Sequence, residues 1–148
     1  MSDSPKEVLF VCVHNSGRSR MAEAFFNQEM RERGITKWRA TSAGTAPSDH
    51  ANPAVVASMA EIGLRIPDTP GRLLVPELME NAIKFISMGC GDAEACPMRL
   101  RGDMEDWELT DPKGKSVGQV RQIREEVRAR VNTLVDDMLS EDPLVSPA

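Results

Sequence analysis

The stretch that most constrains the fold is Glu7–Phe26, EVLFVCVHNSGRSRMAEAFF, where an apolar run reaches a cysteine, crosses a short polar loop to an arginine and resumes with helical periodicity. Glu7–Val13 is a continuous run rich in Val and Phe, the pattern of a strand covered on both faces within a parallel sheet. From Arg18 to Arg33 the apolar residues Met21, Ala22, Phe25, Phe26 and Met30 recur at three- and four-residue spacing, and Gly34 supplies a stop. A strand buried on both sides and followed at once by a helix commits the chain to an α/β architecture, with this strand at its centre.

The rest of the chain continues the alternation. Lys37–Ser42 reads as a second strand, Asn52 and Pro53 open a helix to about Ile62 before Gly63, and Leu73–Met79 reads as a short helix introduced by Gly71. Ala82–Met88 is a third buried strand and Met104–Leu109 a weaker fourth, while Val120, Ile123, Val127, Val131, Leu134, Val135 and Met138 form one stripe of a long helix over Val117–Leu139. The expectation is a single α/β domain over residues 1–148, with a core at 6–140 and a flexible tail at 141–148. Its sheet is small, about four parallel strands, with helices on both faces. In such sheets ligands sit at the carboxyl ends of the strands where the strand order reverses, and the first strand carries Cys12 to that place.

Composition narrows the function classes. A net charge of −5 and an isoelectric point near 5.1 argue against a general nucleic-acid or anionic-membrane binder, so any anion must be recognised locally. No apolar stretch approaches the roughly 20 residues of a membrane span, and Met1–Lys6 lacks a signal-peptide core, which points to a cytoplasmic chain. Monomer is the default for a domain of this size. Cys12, Cys90 and Cys96 are an odd number for a secreted disulfide framework, and in a reducing compartment such cysteines are buried, metal-binding or reactive.

Five residues, Val13, His14, Asn15, Ser16 and Gly17, separate Cys12 from Arg18 between strand and helix. A turn of this length feeding a helix N-terminus can aim successive backbone N–H groups at one point, an anion nest reinforced by the helix dipole. Arg18 adds a planar fork that matches two oxygens of a tetrahedral oxyanion, and the same donors stabilise a Cys12 thiolate as nucleophile. Gly17 allows close backbone approach, Asn15 tolerates a left-handed conformation, and Ser19 can donate to the Cys12 sulfur. His14 either shapes the loop or contacts substrate. Arg18 and Arg20 in the first helical turn both oppose the helix dipole, which is unfavourable without an anion nearby.

The segments VCVHNSGRSRMAE, TSAGT, MGCGDAEACP and EDWELTDPKGK together resemble the low-molecular-weight protein tyrosine phosphatase superfamily and, within it, the thioredoxin-coupled arsenate reductases. The resemblance implies the flavodoxin-like topology of that superfamily, arsenate as substrate, thioredoxin as electron donor and no bound cofactor. It also implies Asp111, restrained by Pro112, as general acid, because a hydroxyl leaves poorly unless protonated. Cys90 and Cys96 flank Gly91–Ala95 beyond the third strand. In a helix their Cα atoms would stand about 9 Å apart along the axis, beyond the roughly 7 Å that a disulfide spans. The segment must therefore rearrange for them to bond, and Gly89 and Gly91 make that feasible. The order implied by the family is attack by Cys12 on arsenic, by Cys90 on Cys12 and by Cys96 on Cys90.

Two rivals stand beside this reading: a phosphate monoester hydrolase using Cys12, Arg18 and Asp111 alone, and a non-enzymatic oxyanion or redox sensor. Phosphotyrosine enzymes of this fold place a tyrosine after the Asp-Pro, whereas this chain has no tyrosine and carries Lys113 there. Several relatives have one more residue between the second and third cysteines, which leaves another thiol system open as reductant. A metal is not expected. Potassium-supported members carry an acidic residue where this chain has Gly71, so Asn15, Glu23, Ser42 and Thr69 make an incomplete potassium site and little potassium dependence is expected.

Overall fold

The computed structural model describes residues 4–88 and 104–142. Four parallel strands, β1 (Lys6–Cys12), β2 (Trp38–Gly44), β3 (Ala82–Ser87) and β4 (Met104–Asp106), lie in the order β2-β1-β3-β4. The order reverses beside β1, so the carboxyl end of this central strand opens at the switch point of the sheet. Around it lie α1 (Arg18–Arg33), α2 (Pro53–Ala60), α3 (Pro76–Asn81) and α4 (Val117–Glu141).

The two-residue repeat of β1 divides the core. Val8, Phe10 and Cys12 face a large layer built with α1, α2 and α4, where Phe10 meets Phe26 edge-on at 6.2 Å and Trp107 at 5.7 Å. Leu9 and Val11 face a smaller layer with Ala43, Ala82 and Phe85, covered by Leu74, Leu78 and Met79. Helices thus cover both faces, as expected, and Cys12 leaves β1 on the thick side, toward α1.

Helix starts follow from local chemistry. Asn52 caps α2 by accepting from the Ala54 and Val55 N–H groups, and Ser116 with Gln119 forms a reciprocal capping box on α4. Arg121 and Arg124 converge on Glu61 just past α2 and hold its exposed carboxyl down to about 2, tying α2 to α4. The first helix spans the predicted residues and closes on Gly34 in the left-handed conformation (φ 67°).

Four boundaries in particular differ from the sequence reading. The short helix starts at Pro76 rather than Leu73, because a residue before proline is driven extended and Leu73 pairs with Gly44 as a parallel bridge. β2 continues two residues past Ser42, since its pairing with β1 persists to Cys12 opposite Gly44. β4 stops at Asp106, short of Leu109, and α4 reaches Glu141; residues 143–148 of the expected tail lie outside the described residues.

Phe26 has no exposed surface and fills the space between β1 and α1. Phe26→Ala should lower the unfolding free energy by about 3–5 kcal/mol in chemical denaturation. A loss below about 1 kcal/mol would contradict this packing.

Candidate active site

The loop from Val13 to Gly17 links the end of β1 to α1, and α1 alone among the three longer helices has no side-chain N-cap. Among the described residues no hydroxyl or amide side chain serves its first N–H groups, which suits an end that receives a ligand. Cys12 is 2% exposed, and its Sγ lies 2.9 Å from Ser19 Oγ. Asn15 Nδ2 donates to that same Ser19 oxygen at 2.8 Å, leaving the serine's own proton free to point at the sulfur. The expected Ser19 contact is present.

Asn15 is the only non-glycine residue with positive φ among those described, at 50°, as the sequence allowed. Its side chain is 3% exposed and fully used: Nδ2 also donates to Ser42 Oγ at 3.0 Å, and Oδ1 accepts the Arg72 N–H at 2.8 Å. The Arg72 bond fixes which end of the amide is oxygen. Two glycines give the loop its seat. A Cβ at Gly44 would fall 2.5 Å from Val13 O and 2.9 Å from Asn15 N, and one at Gly71 would fall 2.8 Å from His14 O and 3.0 Å from Pro47 Cβ.

Arg18 and Arg20 leave the first turn for different partners. Arg18 donates to Leu109 O at 3.1 Å and places Nη2 3.8 Å from Asp111 Oδ2, joining the loop to the half-exposed acid predicted from the sequence. Asp111 Oδ1 accepts the Lys113 N–H, a turn that steadies the carboxylate. A Cβ on Gly17 would lie 2.9 Å from Pro112 Cγ, so the Asp111–Pro112 loop rests directly on the Val13–Gly17 loop. Arg20 instead donates to Asn15 O, Pro67 O, Thr69 O and Thr69 Oγ1. His14 Nδ1 donates to Ala46 O at 3.0 Å, the loop-shaping alternative of its two readings. Cys90 and Cys96 lie outside the described residues.

Of the potassium candidates, Asn15, Ser42 and Glu23 are joined in sequence by hydrogen bonds, Ser42 donating to Glu23 at 2.5 Å, while the oxygens of Thr69 go to Arg20. No three His, Cys, Asp or Glu side chains gather among the described residues. The roles of Arg20, Arg72, Gly44 and Gly71 had no sequence signal beyond the two first-turn arginines and the TSAGT segment, since each depends on a contact across about 30–60 residues. A cavity of about 580 Å³ behind the loop is lined by Asn15, Arg20, Glu23, Thr69 and Arg72 among others; Cys12, Arg18 and Asp111 do not line it.

Burial raises the Glu23 carboxyl above its ordinary 4.5, opposed by the Ser42 hydrogen bond and the charges of Arg72, Arg20 and Arg39. The folded protein therefore holds this proton more tightly than the unfolded chain. The stability the group contributes is complete below about pH 4.5 and is lost as pH rises through the raised value. Glu23→Gln keeps an acceptor for Ser42 and removes the titration. Its melting temperature relative to the parent should climb from acid to neutral pH; a pH-independent difference would reject this account.

No described helix is long and apolar enough to cross a membrane. Residues 7–144 match the model of the low molecular weight phosphotyrosine protein phosphatase family. A glutaredoxin arsenate reductase from Synechocystis is 36% identical over 134 residues, covering 88% of this chain and 96% of the relative. The Corynebacterium glutamicum thioredoxin-dependent arsenate reductase superposes with a TM-score of 0.77 at 30% identity, over 96% of this chain and 66% of that one. An arsenate reductase from Archaeoglobus fulgidus does so at 0.72 and 30% identity, over 87% and 98%. With its Cys12–Arg18 loop, its four-stranded parallel sheet and this match along nearly its whole length, the chain belongs to the low molecular weight phosphotyrosine protein phosphatase family.

Proposed function

We propose that this protein is a reductase converting arsenate to arsenite, with Cys12 as nucleophile, Cys90 and Cys96 as a disulfide relay and thioredoxin as electron donor. One observation carries the reading: a buried cysteine ends the central strand beside a hydroxyl donor and an uncapped helix, with Arg18 and Asp111 3.8 Å apart at the same loop. That geometry binds and attacks a tetrahedral oxyanion. The reductase names of the relatives, together with two further cysteines in the chain, favour reduction over hydrolysis.

Arsenate docks against the loop N–H groups of Val13 to Ser19 and the Arg18 fork. The Cys12 thiolate attacks arsenic, an As–O bond breaks, and Asp111 delivers the proton with which the hydroxyl departs as water. Cys90 then attacks Cys12 Sγ; the S–As bond breaks with its electron pair passing to arsenic, which leaves as arsenite while a Cys12–Cys90 disulfide forms. Cys96 attacks Cys90, forming Cys90–Cys96 and returning Cys12 as thiolate. A dithiol donor reduces the last disulfide.

The test is arsenite formation from arsenate with thioredoxin, thioredoxin reductase and NADPH, in the parent and in Cys12→Ser, Cys90→Ser and Cys96→Ser. All three variants should lose steady turnover, with Cys96→Ser completing about one turnover per enzyme. Continued thioredoxin-driven turnover in Cys96→Ser would sink the order of the relay. Phosphate-ester hydrolysis needing only Cys12, without any arsenite, would transfer the assignment to a phosphatase; arsenite made only with another thiol would change the donor. Asp111→Asn should lower kcat by about 10²–10⁴-fold, the usual worth of a positioned acid, and a change under threefold would remove Asp111 from that role.

A further inference from the structure

Potassium is the one metal that the family resemblance attaches to this fold, and the residues present do not fit it. The position of the expected carboxylate is Gly71, whose Cα is packed so closely against His14 O, Pro47 and Asn15 that even a Cβ would overlap. Of the remaining oxygens, those of Thr69 already receive hydrogen bonds from Arg20.

The Arg20 donors span two separate segments. Nε binds Asn15 O at 2.6 Å, Nη1 binds Pro67 O at 2.9 Å and Thr69 Oγ1 at 3.2 Å, and Nη2 binds Thr69 O at 2.5 Å. Three backbone carbonyls and a hydroxyl around one positive charge are the donor set that hard cations select. The residue is 8% exposed, and the half-buried Glu23 carboxyl on the same helix lines the same cavity. A cation at the positive end of a helix is otherwise unfavourable, so these acceptors account for its position.

We propose that Arg20 is a built-in cation: a positioning residue that holds the anion loop from behind and makes an alkali-metal ion unnecessary there. Its bond to Asn15 O steadies the one left-handed non-glycine residue described. The N–H of that same peptide unit belongs to Ser16, inside the loop. A charge-assisted bond to the carbonyl polarises the unit and strengthens that N–H as a donor to an oxyanion. Arg20 thus acts through the backbone and need not touch substrate.

The inference rests on the oxyanion loop read under the proposed function and not on reduction, so inorganic phosphate is a sufficient probe. Phosphate binding by titration calorimetry and melting temperature are measured in choline chloride and in potassium chloride at equal ionic strength. The parent should respond alike in both salts, within twofold in affinity. Arg20→Ala should bind phosphate at least tenfold more weakly and should recover a large part of that loss with potassium or with millimolar guanidinium, but not with choline. Arg20→Lys, which keeps a charge and loses the fork, should fall between the two and decides the matter if Arg20→Ala does not fold. A parent whose affinity or melting temperature rises strongly with potassium overturns the proposal. So does parent-like affinity in both variants, or a loss that neither cation restores. A parent that binds no phosphate refutes the oxyanion loop itself, and this inference with it.

Discussion

Asn15 is the residue on which the site depends. Its backbone takes the left-handed turn that brings the chain from the sheet into α1, and its amide makes one bond each to α1, β2 and the Arg72 backbone. A non-glycine residue in that region costs on the order of 1 kcal/mol or more and persists only where its surroundings over-determine it. Here they do: the side chain bonds Ser19, Ser42 and the Arg72 N–H, the carbonyl bonds Arg20, and Gly44 and Gly71 press on it from two sides. The shape of the loop is therefore set by the scaffold before any ligand arrives, the condition under which fixed dipoles act most strongly on a developing charge.

Charge is distributed with the same economy. The chain is acidic overall, yet two arginines stand within the first turn of α1. Arg18 reaches the Leu109 carbonyl and Asp111, and Arg20 reaches carbonyls of the loop and of the segment following α2. Each is tied by hydrogen bonds to backbone oxygen, which holds both in place. Two arginines are gathered at one loop of a protein whose net charge is −5, which favours a small anion over a polyanion.

The architecture was largely legible because it is written in periodicity. The apolar run of β1, the stripe of α4 and the Gly34 stop of α1 each report on a neighbour one strand or one turn away. The Cys12–Arg18 loop was legible for a related reason, since all its parts are consecutive, and the Ser19 contact with Cys12 closes that same short loop. What escaped depends on distant segments. Pro76 rather than Leu73 opens α3 because Leu73 pairs with Gly44, and nothing local in the sequence states that pairing. Arg20 read as a helix-dipole conflict because three of its four acceptors are 47 and 49 residues away. Gly71 read as a missing carboxylate, when its place against His14 and Pro47 leaves no room for any side chain.

The depth of Cys12 has a consequence for anything that must restore it. With 2% of its surface exposed, the sulfur can be reached by a solute of a few atoms but not by a cysteine borne on another folded protein, whose backbone would collide with the loop first. The Cys12 sulfur is thus insulated from macromolecular thiols. Under the proposed relay, equivalents bound for a protein partner pass through Cys90 and Cys96 rather than directly from the Cys12 sulfur, so that substrate access and partner access become two separate doors.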